Sequence, residues 1–116
     1  MKPLQLLQRI AQIIADKKGF NTLVLDVTGF SSISDFLFIA EGNVDRHLIA
    51  IAKAIMEELG KEGIEPLYVE GLQTGDWIAI DYGEVMIHLF APGFRERYAL
   101  ERLWKESQIV ELCPCV

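Results

Sequence analysis

The stretch Trp77-Ile78-Ala79-Ile80-Asp81-Tyr82-Gly83-Glu84-Val85-Met86-Ile87-His88-Leu89-Phe90 decides the fold. Two runs rich in β-formers flank Gly83-Glu84, which reads as a hairpin over residues 76–82 and 85–90. A two-residue turn sets Tyr82 opposite Val85, Ile80 opposite Ile87 and Ile78 opposite Leu89. Side chains alternate across a strand, so those six share one face. All are large and mostly apolar, and that face belongs on a core, under helices. The opposite face carries Trp77, Ala79, Asp81, Met86, His88 and Phe90, which mixes large aromatics with one carboxylate and one imidazole.

Two readings of this second face compete. In one, a further helical layer covers it, and Asp81 and His88 are satisfied by hydrogen bonds. In the other it is open and meets a partner, since aromatics and Met with a few polar groups compose the core of an interface. The first face needs at least two of the three predicted helices, which favours the open reading.

Those helices come from the rest of the chain. Residues 3–17 read as an amphipathic helix, with Leu6, Leu7, Ile10, Ile13 and Ile14 at helical spacing, Pro3 in its first turn and Lys17-Lys18-Gly19 at its end. Residues 22–28 read as a strand, Gly29 to Ser34 as a polar turn, and 35–41 as a buried strand. Gly42-Asn43 starts the longest helix, to about Leu59, with Asn43 as its N-cap, an apolar stripe from Val44 to Leu59, and Gly60 and Gly63 as stop signals. A short strand follows at 66–70, then the hairpin, then a helix from about Phe94 to Ser107. The order α-β-β-α-β-β-β-α predicts a single α/β (α+β mixed) domain over 1–107, with helices packed on a mixed sheet of about five strands. Residues 108–116 read as a flexible tail.

Composition narrows the function classes. The chain has 116 residues, 51% hydrophobic and 24% charged, which suits one ordinary domain and excludes disorder as the main state. Seventeen acidic against 11 basic residues leave a net charge of −6. Such a surface repels phosphate backbones, so no direct nucleic-acid specificity is expected. A small-molecule ligand or a basic protein surface fits better. Gln5, Gln8 and Arg9 interrupt the N-terminal apolar stretch, so it does not read as a signal peptide. No apolar run reaches the roughly 18 residues of a membrane span. The expected location is the cytoplasm.

Catalytic and metal constellations are weak. His47 reads as an exposed or capping side chain and His88 as a satisfied sheet residue. Cys113-Pro114-Cys115 lacks the usual metal-site spacing. Ser31, Ser32 and Ser34 have no nucleophile elbow around them. Asp26, Asp35 and Asp81 sit in or beside strands, and such a cluster could hold Mg²⁺ in a minimal nucleotidyltransferase, the alternative class. Its supporting parts, a phosphate-binding loop or an Asp-x-Asp pair, are missing, and turn-capping explains Asp26 and Asp35 more simply. The mixed charges of 95–106 mark a solvated helix face.

Three blocks carry a resemblance. They are Asp35-Phe-Leu-Phe-Ile-Ala-Glu-Gly-Asn43 continued by Asp45-Arg-His-Leu-Ile-Ala-Ile-Ala52, Glu70-Gly71 leading into Trp77–Phe90, and Arg95-Glu-Arg-Tyr-Ala-Leu-Glu-Arg-Leu-Trp104. In order and spacing they resemble the ribosomal silencing factor (RsfS, or Iojap-like) family. Glu41 and Val44 depart from it, since the family usually has Ser at both, and the cysteine tail is outside its pattern. The resemblance implies a nucleotidyltransferase-like sheet without the catalytic signature, and a factor that is not an enzyme and needs no cofactor. It implies binding to the large ribosomal subunit through its fourteenth protein (L-fourteen), which blocks joining of the small subunit. Organelle relatives act in large-subunit assembly. In this frame Trp77 is an aromatic anchor and Asp81 an acceptor for Lys or Arg. Met86, His88 and Phe90 complete the patch, and Tyr82 is a further candidate although alternation puts it on the core side. An exposed Trp-Met-Phe face would also allow a homodimer when the protein is free.

Overall fold

Helix–sheet packing here follows from two apolar stripes. The first is on α1, Pro3–Asp16, where Leu6, Leu7, Ile10, Ile13 and Ile14 are all buried. The second is on α2, Asp45–Lys61, where Leu48, Ile51, Ala52, Ile55 and Leu59 are fully buried. The computed structural model describes residues 3–28, 35–93 and 108–109. Its strands are β1 Phe20–Asp26, β2 Phe36–Glu41, β3 Tyr68–Glu70, β4 Trp77–Asp81, β5 Val85–Phe90 and β6 Gln108–Ile109. They form one mixed sheet in the order β3-β4-β5-β2-β1-β6, with β2 and β5 parallel and the other pairs antiparallel. The expected mixed α/β sheet under helices is what the chain adopts.

Both described helices lie on the same side. Their stripes pack with Val24, Phe38, Ala40, Ile78, Ile80, Val85, Ile87 and Leu89 in one core. Burying that many branched aliphatic side chains is the main stabilising term, at roughly 1.5–3 kcal/mol for each large one.

The helix ends are set by local chemistry. At the end of α1, Lys18 takes the left-handed conformation at φ 66°, and the Lys18 and Gly19 N–H groups donate back to Ala15 and Ile14 at 3.0 and 2.8 Å. Gly19 is needed for space rather than for its torsion angle, because a Cβ there would run into Ile14. At the end of α2 the same bond pattern has Gly63 at φ 79°, as its stop signal predicts.

The start of α2 differs from the expected asparagine cap. Val44 is the N-cap residue and makes no side-chain cap bond. His47 takes over from the first turn. Its Nδ1 accepts the Asn43 N–H at 2.9 Å and its Nε2 donates to the Lys17 carbonyl at 2.6 Å. This imidazole ties the entry to α2 onto the exit from α1. The fit is close elsewhere too, since a Cβ at Gly75 would come within 2.9 Å of Asp45.

Boundaries shift modestly. β1 starts at Phe20, which pairs with Glu41 across an irregularity before Leu23. β3 starts at Tyr68, two residues after Pro66, which cannot donate to a ladder. Gln108 and Ile109, placed in the tail by the sequence, pair with Asp26 and Leu25 as β6, which makes six strands among the described residues where about five were expected. The predicted helix from Phe94 to Ser107, the turn at 29–34 and residues 110–116 with the two cysteines lie outside the described residues.

Candidate functional site: the aromatic half of the second sheet face

The hairpin forms in the register that alternation demands. Tyr82 N–H donates to the Val85 carbonyl at 2.9 Å, closing Gly83-Glu84 as a two-residue turn. Gly83 has φ 86°, open to glycine and strained for other residues. Ile80 then pairs with Ile87, Ile78 with Leu89, and Trp77 with Phe90. Ile78, Ile80, Val85, Ile87 and Leu89 are fully buried under the helices.

The reverse face splits into two halves. Across β1, β2 and the end of β5, Leu25, Val27, Leu37, Ile39 and Phe90 are buried in a second cluster. Across β3, β4 and β5 the face stays accessible, with Trp77, Ala79, Asp81, Met86 and His88 half-buried. The whole face is therefore not open. Phe90 offers no surface of its own and acts as the floor of the patch.

On that floor three rings assemble. Trp77 stacks on Phe90 with centroids 5.5 Å apart and planes 21° apart. His88 lies 6.3 Å from Phe90 and 5.7 Å from Trp77, centre to centre. The Trp77 Nε1–H donates to His88 Nδ1 at 2.9 Å. Directly paired and diagonal positions on neighbouring strands bring such side chains together. Burial disfavours the imidazolium and lowers the His88 pKa to about 4.

Asp81 closes the same strand. Its Oδ1 accepts the Gly83 N–H at 2.7 Å, so the carboxylate braces the hairpin turn. Asp26 does the same for the Thr28 N–H at 3.0 Å. Among the described residues no group of three His, Cys, Asp or Glu is arranged to hold a metal ion. His47 and His88 serve separate places, one at the α1–α2 junction and one in the ring cluster.

Tyr82 stands apart from the patch. It packs against the helix-side core, and its hydroxyl is buried with no hydrogen-bond partner. Burial, with the Glu65 carboxylate adding to it, pushes the phenol pKa up to about 12.

Two residues extend the patch that the hairpin arithmetic alone does not reach. Tyr68 pairs with Asp81 and Glu70 with Ala79, so both share the aromatic face. Tyr68 is 59% exposed and its hydroxyl donates to Glu70 Oε1 at 3.0 Å. That bond to a carboxylate, together with its charge, raises the Tyr68 pKa. Alternation in Tyr68-Val69-Glu70 was the available signal, since Val69 faces the core. The segment 62–93 carries Glu62, Glu65, Glu70, Asp76, Asp81 and Glu84 and no Lys or Arg. Of these, Glu70 and Asp81 stand on the aromatic face, whereas Glu62 pairs with Arg9 at 3.6 Å.

The domain is thus a mixed α/β sheet with one helix-covered face and, on the accessible half of the other, an aromatic patch with Glu70 and Asp81 beside it. A model of the family described as "Ribosomal silencing factor during starvation" (RsfS) matches residues 1–114. The chain is 36% identical to the ribosomal silencing factor RsfS of Halalkalibacterium halodurans over 93% of its own length and 92% of that protein's. A mouse protein named "Mitochondrial assembly of ribosomal large subunit protein 1" is 28% identical over 82% of this chain and 43% of its own length. A crystal structure from Chromobacterium violaceum superimposes with a TM-score of 0.87 at 25% identity, covering 98% of this chain and 94% of that one. The chain belongs to the ribosomal silencing factor (RsfS) family.

Proposed function

We propose that this protein binds the large ribosomal subunit through its fourteenth protein and blocks association with the small subunit, repressing translation. The observation that carries the reading is the half-buried pair Trp77 and His88 stacked on Phe90, with Met86 further along the same face, within a segment that has six carboxylates and no cation. A basic ribosomal protein complements that surface in charge, and a desolvated Trp is the commonest kind of anchor. Family membership supports the ribosome as the target, and the name of the mouse relative supports its large subunit. The mechanism is steric and requires no reaction: one protein occupies a surface that another needs. It acts in the cytoplasm, and no helix among the described residues is long and apolar enough to cross a membrane.

The experiment is sedimentation through a sucrose gradient. Purified protein is mixed with large subunits, and small subunits are added last. Co-migration with the large subunit and loss of the joined peak are expected. Absence of co-migration at micromolar protein would sink the reading and turn attention to the nucleotidyltransferase alternative, tested by Mg²⁺-nucleotide binding.

A further inference from the structure

The ring cluster leaves His88 in one protonation state. An indole N–H can only donate. Its bond to Nδ1 therefore requires that nitrogen to be unprotonated, and a neutral ring must carry its proton on Nε2. His88 is half-buried, in the accessible half of the face. The indole, the floor of Phe90 and the strand pairing hold the ring in place.

From this geometry we infer that His88 is a specificity-determining donor: Trp77 locks it as the Nε2–H tautomer, and that N–H donates to a neutral oxygen, a main-chain carbonyl, on the bound ribosomal protein. The inference rests on the proposed function and deepens it. Charge separates the roles on the patch. Asp81 and Glu70 flank it and attract the partner's Lys or Arg, whereas the centre supplies one uncharged donor with a fixed direction. Such a donor rejects any partner group that cannot accept, because a desolvated N–H left unpaired opposes binding.

The test has two arms. Nitrogen-15 NMR of the labelled imidazoles at neutral pH is expected to show His88 as the neutral Nε2–H tautomer, with its Nδ1 unprotonated. An Nδ1–H tautomer or an imidazolium overturns the inference. In the second arm, binding to purified large ribosomal subunits is measured for the wild type, His88→Phe and His88→Gln. Phenylalanine keeps the ring packing and removes both nitrogens, so binding is expected to weaken about tenfold or more. Glutamine can accept from Trp77 through Oε1 and donate through Nε2, and it should retain most of the affinity. Unchanged binding by His88→Phe, or equal loss in both variants, overturns the donor role while the proposed function stands. Failure of the wild type to bind removes the proposed function itself, and the inference with it.

Discussion

The two faces of β4 and β5 are built from alternating residues of the same eleven positions in their ladders, yet they differ in kind. Toward the helices stand Ile78, Ile80, Val85, Ile87 and Leu89, all fully buried and all branched aliphatics. Away from them stand Trp77, Ala79, Asp81, Met86 and His88, half-buried, over a buried Phe90. Branched aliphatics fill space densely and carry no polar group, which suits a face that never meets water. The other face keeps rings with polar atoms, each directed by a neighbour: the Trp77 N–H to His88, the Asp81 carboxylate to Gly83. The difference teaches that residue parity along one hairpin separates a uniformly aliphatic core face from a face of rings and polar groups.

That division can be broken from either side. Ile87→Ala should have the largest effect, a loss of about 2–5 kcal/mol in folding stability, since it opens a cavity in the middle of the helix-covered core. Urea denaturation measures it, and a loss well under 1 kcal/mol would mean the two faces are less distinct than their burial indicates.

Acid tests the second face. The His88 pKa falls from 6.5 to about 4 on folding, so the unfolded chain binds the proton more tightly. The contribution is fully present above about pH 6.5 and is lost as pH falls toward 4. It amounts to about 3 kcal/mol at most. Carboxylates titrate over the same range, so the comparison is between wild type and His88→Phe. The variant should lose less stability between pH 7 and pH 4.5, and parallel curves would contradict the assignment.

Trp77→Ala should reduce large-subunit binding by about 2 kcal/mol, roughly thirtyfold, if it is the central anchor. Trp77 lies outside the helix-side core but packs against the second cluster, so the folded fraction of the variant is measured by circular dichroism alongside binding. Full retention of binding would move the recognition surface elsewhere on the sheet.

The smallest effect is also the sharpest in sign. Tyr82→Phe removes a buried hydroxyl that has no partner, and should be neutral or stabilising by up to about 1 kcal/mol, with subunit binding unchanged. Thermal melting at neutral pH distinguishes this from a loss, which would reveal a hidden partner for the hydroxyl. At alkaline pH the wild type should lose stability between about pH 10 and pH 12, because the raised phenol pKa favours the neutral form in the folded state. The phenylalanine variant should lack that component.

Much of this was readable in the chain because it is local. The turn at Gly83-Glu84 fixes pairing over six residues on either side, and the pairs Ile80–Ile87 and Ile78–Leu89 follow from counting alone. The α1 and α2 stripes follow from helical spacing in the same way. What escaped the reading depends on contacts between distant segments. Asn43 looked like a cap by residue type, but His47 reaches both Asn43 and Lys17, and that second partner is thirty positions away. Phe90 and Trp77 have the same parity and similar chemistry. Phe90 is buried in one cluster with Leu37 and Ile39 from β2, whereas Trp77 packs against that cluster and stays half-buried. Tyr68 and Glu70 joined the patch through pairing of β3 with β4, across the loop at 71–76.

The sequence by itself determined which residues share a face, where the hairpin turns and how the apolar stripes lie on the helices. These are consequences of backbone periodicity and need no knowledge of neighbours. The tertiary structure alone decided the strand order, with β2 parallel to β5, and how far the second face is covered. It also decided that the Trp77 N–H meets His88 Nδ1. Each of those depends on which distant segment fills the space beside a residue, and that competition is settled by packing the whole sheet at once.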